Sequence, residues 1–315
     1  MIDGVVGASH TRLLAASFGG DVTERSQESR RRRRRIGPSS ASPWSGAFNR
    51  EEAGMGKIIA VANQKGGVGK TTTSINLSAS LADAGRRVLL VDLDPQGNAT
   101  MGSGVDKSDL ERSGYDVLMS EAPVAEALVV LEESGYHLLP GNGDLTGAEV
   151  GLLDEIGREF RLRQALEAVR EGYDCILIDC PPSLSILTVN ALVAADSVII
   201  PVQCEYYALE GLSALLETIE KIQRRVNRGL RIEGLLRTMF DSRNNLSGQV
   251  SAQLTRSFGG KTFDTVIPRN IRLAEAPSHG LPVLLYDRES SGSLAYIELA
   301  NEIIRREDSR REGAR

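Results

Sequence analysis

The chain has 315 residues, 41% apolar and 25% charged, which is ordinary for a water-soluble protein with a sizeable core. Its net charge of −5 gives no overall attraction for nucleic acid or acidic membranes, and no apolar run nears the ~20 residues that span a bilayer. Cys175, Cys180 and Cys204 are too few and wrongly spaced for a disulfide frame or a zinc site, so reduced thiols in a cytosolic protein are expected.

Residues 1–54 form a Ser/Gly/Arg-rich extension with nine Arg against six acids, and residues 30–35 are consecutive arginines. Neither helical nor alternating periodicity persists there, so disorder is expected, and the apolar core of a secretory signal is missing. Two readings stay open: a basic segment that contacts nucleic acid or acidic lipid, or a native start at Met55. No function is assigned to this tail. Residues 55–315 read as one domain without internal repeats.

The apolar run 58–62 predicts a first strand, and Lys65-Gly66-Gly67-Val68-Gly69-Lys70-Thr71-Thr72 follows it. A helical pattern over 74–81 comes next, so the order is strand, glycine-rich loop, helix. Glycines let successive N–H groups turn inward onto phosphate oxygens, and a helix starting near Lys70 adds its positive end. Lys70 would neutralise β- and γ-phosphates, and the Thr71 hydroxyl would ligate Mg²⁺. The first glycine of the plain Gly-x-x-x-x-Gly-Lys-Ser/Thr pattern is absent; a second lysine, Lys65, marks the loop instead.

Further strands are expected at 87–91, 136–139, 173–179, 197–202, 232–239 and 263–267, with helices at 157–170, 209–226 and 294–304. The stretch up to residue 131 reads as loop and helix. Strands separated by helices predict an α/β fold, a mostly parallel sheet covered on both faces, with ligands beyond the carboxyl ends of the strands. Asp179 ends one such strand, where it can orient Mg²⁺. Asp92 and Asp94 alternate on an extended segment, so one can approach the γ-phosphate while the other braces the fold. Spacing does not say which.

These residues resemble a family. The loop at 65–72, Val91-Asp92-Leu93-Asp94-Pro95-Gln96-Gly97-Asn98, Ile178-Asp179-Cys180-Pro181-Pro182-Ser183 and Ile267-Pro268-Arg269-Asn270 are similar to the motifs of ParA/Soj chromosome-partitioning ATPases. Residues 202–211 add a fifth match, and the likeness runs from Met55 to about Ala300. The resemblance implies a P-loop NTPase fold of the deviant Walker A type, with ATP and Mg²⁺ bound. It implies that Lys65 reaches the partner's phosphates across a nucleotide-sandwich homodimer, and that Asp94 orients the hydrolytic water near the metal. Pro268 and Asn270 match adenine-contacting positions. Arg243 and Arg272 match positions linked to nonspecific binding of double-stranded DNA; without the likeness they read as an exposed arginine and a partner of Glu275. The likeness also implies a ParB/Spo0J-type protein that stimulates a weak ATPase, a cytoplasmic, nucleoid-associated location and no stable membrane association.

Two rivals share the fold. A MinD-like membrane switch should carry an amphipathic C-terminal anchor, whereas residues 305–312 here are almost wholly charged. A nitrogenase-iron-protein-like reductase needs cluster-bridging cysteines, and the present ones do not match that need.

Overall fold

Alternation explains the middle of this molecule. In β1 (Lys57–Val61), Ile58 and Ala60 face one hydrophobic core while Ile59 and Val61 face a second. The same split occurs in β2 (Val88–Asp92) and β5 (Cys175–Asp179), because successive side chains of a strand point to opposite faces. Burial of each Val, Leu and Ile side chain here contributes about 2 kcal/mol, which makes the three strands a stiff platform.

The computed structural model describes residues 56–205 and 208–313, so the expected extension over 1–54 lies outside the described residues. The remaining strands are β3 (Val129–Leu131), β4 (Tyr136–Leu139), β6 (Ser197–Gln203), β7 (Arg231–Phe240) and β8 (Thr262–Pro268). Among the described residues they form one sheet ordered β3-β4-β2-β5-β1-β6-β7-β8, parallel throughout except for the β3–β4 pair. The principal helices are α1 (Lys70–Asp83), α2 (Ile186–Ala194), α3 (Ala208–Arg225), α4 (Asn245–Phe258) and α5 (Ser291–Gly313). Helices α2 and α3 bury Leu187, Leu192, Leu215 and Ile219 in the first core; α1 and α5 bury Leu77, Leu81, Tyr296 and Leu299 in the second. The expected covered parallel sheet is therefore present, and β1 lies inside it where the chain turns to β2 on one side and β6 on the other.

Several local expectations need correction. The helix foreseen over 157–170 is broken into a 3₁₀ turn at Arg158–Phe160, a helix at Arg161–Glu167 and another turn at Arg170–Gly172. Arg170 is drawn away by longer-range partners: its guanidinium donates to the Gly56 carbonyl (2.7 Å) and Asp196 Oδ2 (2.6 Å). Residues 129–131 are an antiparallel edge strand rather than loop or helix, because the turn to β4 closes on Gly135 with φ 74°. Helices α2 and α4 were not foreseen: α2 is buried nearly all round and shows no polar face, and in α4 small polar residues, Ser247 and Ser251, share the buried face with Val250 and Leu254 and blur the apolar stripe. Helix α5 runs past the expected 304, its last turns held by Arg306–Glu302 (2.6 Å) and Arg310–Glu233 (3.0 Å) pairs.

Candidate functional site

The loop after β1 is braced from outside and open within. Asn63 Nδ2 donates to the Pro201 carbonyl (2.7 Å), its Oδ1 accepts from the Lys65 N–H (3.0 Å), and Thr238 Oγ1 on β7 donates to the Val68 carbonyl (2.8 Å). Gly67 and Gly69 hold φ of 74° and 85°, which side chains with a Cβ rarely adopt. A Cβ placed on Gly66 or Gly67 would meet nothing within 4 Å, so the loop faces free space. Helix α1 follows Gly69 as its N-cap, with no side-chain cap and no acid in its first turn. Its first N–H groups and its positive end thus have no built-in anion. On the same loop, Gln64 Nε2 is buried without a hydrogen-bond partner among the described residues. These residues fit a polyphosphate.

Lys70 is buried, and its Nζ donates only weakly, to the Lys65 carbonyl at 3.3 Å. Loss of solvent lowers its pKa, against the raising charges of Asp179, Cys180 and Asp94. Asp179 is wholly buried and accepts from Thr71 Oγ1 and Ser74 Oγ, both at 2.8 Å. It stands in register with Asp92 on the neighbouring strand. Burial raises the pKa of both carboxyls, and the Asp92 charge adds to the rise at Asp179. A cation near Asp179 would relieve that strain. Among the described residues no three His, Cys, Asp or Glu side chains cluster as metal ligands. A hydroxyl with one or two carboxylates suits Mg²⁺, which keeps several waters and takes its other oxygens from phosphates.

The two alternating aspartates separate cleanly. Asp92 is fully enclosed and accepts from the Thr100 N–H (2.8 Å), Thr100 Oγ1 (2.7 Å) and the Asp94 N–H (3.1 Å). Among the described residues the Asp94 carboxylate accepts one bond, from the Gln96 N–H to Oδ1 at 2.9 Å. Asp92 is the brace, and Asp94 keeps an oxygen for other work.

A cavity of about 180 Å³ adjoins the loop, lined by Gly69, Thr72, Met239, Pro268, Asn270 and Tyr296 among others. That is below the ~300 Å³ of drug-sized pockets and takes a flat ring rather than a whole nucleotide. Met239 has φ 50°, a left-handed backbone in a non-glycine residue, of the kind that gathers at binding sites. Asn270 Oδ1 caps the short helix Ile271–Glu275 by accepting from the Arg272 and Leu273 N–H groups (2.8 and 3.3 Å), while Nδ2 donates to Ser291 Oγ (2.9 Å). Contact with a base would fall to the remaining amide hydrogen and the backbone near Pro268.

Lys65 turns from the loop to an ion pair with Glu205 Oε2 at 3.1 Å, and Gln203 Nε2 donates to the other Glu205 oxygen at 2.5 Å. The two arginines lie on different segments, each on its own carboxylates. Arg243 holds Asp241 through Nε (2.9 Å) and Nη2 (3.0 Å); Arg272 holds Glu275 (2.9 Å) and Asp287 (3.1 Å). The Glu275 partnership is the alternative that spacing left open. Exposed ion pairs of this kind are weak, so phosphate can compete for either arginine.

Sequence reasoning missed Ser74, Thr238 and Thr100 as supports. Ser74 was findable: three residues after Thr71 it shares that residue's helix face. Thr238 and Thr100 arrive from distant segments and carry no local signal.

A family model described as an AAA domain matches residues 56–232. The sporulation initiation inhibitor protein Soj of Bacillus subtilis is 56% identical over 249 residues, 79% of this chain and 98% of that protein. The chromosome partitioning protein ParA of Caulobacter vibrioides is 53% identical over 256 residues, 81% of this chain and 96% of its own. A solved structure of cobyrinic acid a,c-diamide synthase from Mycobacterium smegmatis with bound ADP and magnesium superposes with a TM-score of 0.72 at 41% identity, covering 81% of this chain and 96% of that one.

Proposed function

The chain belongs to the ParA/Soj family of chromosome-partitioning ATPases, and from that premise we propose an ATP-driven dimerising switch that grips double-stranded DNA without sequence preference. The observation that carries this reading is the uncapped, inward-open loop with the buried Lys70 at its end and the Thr71–Asp179 pair beside it. ATP would lie with its triphosphate in the loop and its base in the cavity at Pro268 and Asn270. Mg²⁺, held by Thr71 with Asp179 and Asp94 around it, would neutralise charge on the phosphate oxygens. Asp94 orients the attacking water, and Lys70 stabilises the charge that builds on the γ-phosphate. Lys65 would leave Glu205 and reach the partner's phosphates, so that ATP joins two copies and hydrolysis parts them. A ParB-type partner would speed a weak intrinsic reaction and so time the release. The activity named for the M. smegmatis protein is the weaker guide, at 41% identity against 56% and 53% for the partitioning proteins.

DNA binding measured with ATP, with ADP and without nucleotide, across a salt series, tests the switch. Tight binding with ATP alone, with a steep salt slope, is expected. In the same assay Arg272→Ala should weaken DNA binding and leave ATP affinity intact; loss of both would mean that Arg272 holds the fold. Equal binding in all three nucleotide states would end the reading.

The Lys65–Glu205 pair sets an opposing contact within one subunit. Glu205→Gln should free Lys65 and raise the dimer fraction at subsaturating ATP by about two- to fivefold, the worth of an exposed pair. Light scattering reads this directly, and a fall in dimer would show that Glu205 supports the interface instead. A membrane anchor finds no support in α5, whose last turns carry Arg306 and Arg310 tied to Glu302 and Glu233.

A further inference from the structure

We propose that the groove between α3, the start of β7 and the end of α4 docks an acidic, amphipathic peptide segment of a partner protein. It lies at the amino ends of the strands. Arg231 opens β7 opposite Ser197, the first residue of β6, and Lys261 directly precedes β8. The phosphate loop leaves the carboxyl end of β1, which runs parallel to β6, so the groove and the nucleotide site occupy opposite edges of the sheet. This open groove holds about 440 Å³, more than twice the 180 Å³ beside the loop. Leu216 and Ile219 of α3, Ile232 of β7 and Phe258 of α4 line it. Leu216, Ile232 and Phe258 are only half-buried, so apolar surface is presented to whatever enters.

Charge decides the occupant. Arg231 and Lys261 are exposed on the rim and make no ion pair among the described residues; the same holds for Lys221, Arg225 and Arg228 close by in sequence. Glu220, the one acid on the wall, is already held by Arg224 at 3.2 Å. Elsewhere surface arginines such as Arg112, Arg161 and Arg288 sit on carboxylates. Arg225 also complements the carboxyl end of its helix and Lys261 that of the 3₁₀ turn after α4, but Arg231 opens a strand and has no such role. A local basic excess in a chain of net charge −5 selects an acidic partner. Duplex DNA would use the cations and leave the apolar floor unfilled, since its affinity comes from phosphate contacts. Residues 1–54, rich in arginine, carry the wrong sign. An acidic peptide with Leu, Ile or Phe anchors satisfies both features. Its docking does not depend on the nucleotide.

Random peptides displayed on phage and selected on the full-length protein should converge on sequences that combine Asp or Glu with Leu, Ile or Phe. A fluorescein-labelled synthetic peptide of that consensus is then followed by anisotropy. It should bind the Arg231→Glu/Lys261→Glu variant about tenfold more weakly, with thermal melting unchanged at these exposed positions. Lys70→Ala protein should bind it as the wild type does, which separates the groove from the ATP site. The proposal is overturned by a selection without an acidic–apolar consensus, or by an affinity that survives the double reversal. It is equally overturned if short duplex DNA loses affinity on that reversal while the peptide does not, which would assign this face to nucleic acid.

Discussion

Lys70→Ala is expected to lower ATP hydrolysis by about 10³-fold or more, the scale of removing one preorganised charge-stabilising group. The loss should appear in ATP binding as well as turnover. Lys70 Nζ is buried beside the open loop, and among the described residues its sole hydrogen bond is a long one to the Lys65 carbonyl. Desolvation already costs that cation stability, so it gains more from phosphate oxygens than an exposed lysine would. Thr71→Ala should act through a different route. It removes the hydroxyl bonded to Asp179 at 2.8 Å, leaving a buried carboxylate with Ser74 as its remaining hydroxyl donor. Magnesium dependence should therefore weaken with Thr71→Ala, while Lys70→Ala weakens nucleotide affinity at any magnesium level. Calorimetric titration with ATP at several magnesium concentrations, alongside phosphate release, distinguishes the two. Normal hydrolysis in either variant would remove this loop from the chemistry.

Much of this was legible in the chain because the information is local. An apolar run, three glycines and two lysines within residues 58–70 specify strand, turn and helix start, and each lies where the loop needs it. The Asp179 position was readable for the same reason, as the end of a continuous apolar strand. What stayed hidden depends on neighbours far along the chain. Thr238 braces Val68 across 170 residues, and Arg170 is pulled out of a helical pattern by Gly56 and Asp196. Helix α4 was obscured by serines on its buried face, which periodicity counts as polar even where the tertiary structure encloses them. The roles of Asp92 and Asp94 needed the hydrogen bonds of Thr100, brought in by the short helix Asn98–Gly102.

Those two aspartates supply the second large expectation, because identical substitutions should fail in opposite ways. Asp92→Ala removes the acceptor for the Thr100 N–H, Thr100 Oγ1 and the Asp94 N–H inside a fully enclosed space. Unmet buried donors cost ~1–3 kcal/mol each, so the variant should lose about 3 kcal/mol or more in denaturant unfolding. Part of that loss is offset, since Asp92→Ala also removes a carboxylate that burial and its neighbours disfavour. Asp94→Ala gives up a single side-chain bond, from the Gln96 N–H, against three for Asp92→Ala, and should unfold much closer to wild type. Its defect should be kinetic. Without the carboxylate that orients water, ATP binds but is not cleaved, and the ATP-joined pair should persist on DNA. Dissociation from a DNA-coated sensor surface, chased with competitor DNA in the presence of ATP, should slow by a factor of about 10². Rapid dissociation by Asp94→Ala, or a folding defect equal to that of Asp92→Ala, would return the water-orienting role to an unassigned group and leave both aspartates as braces.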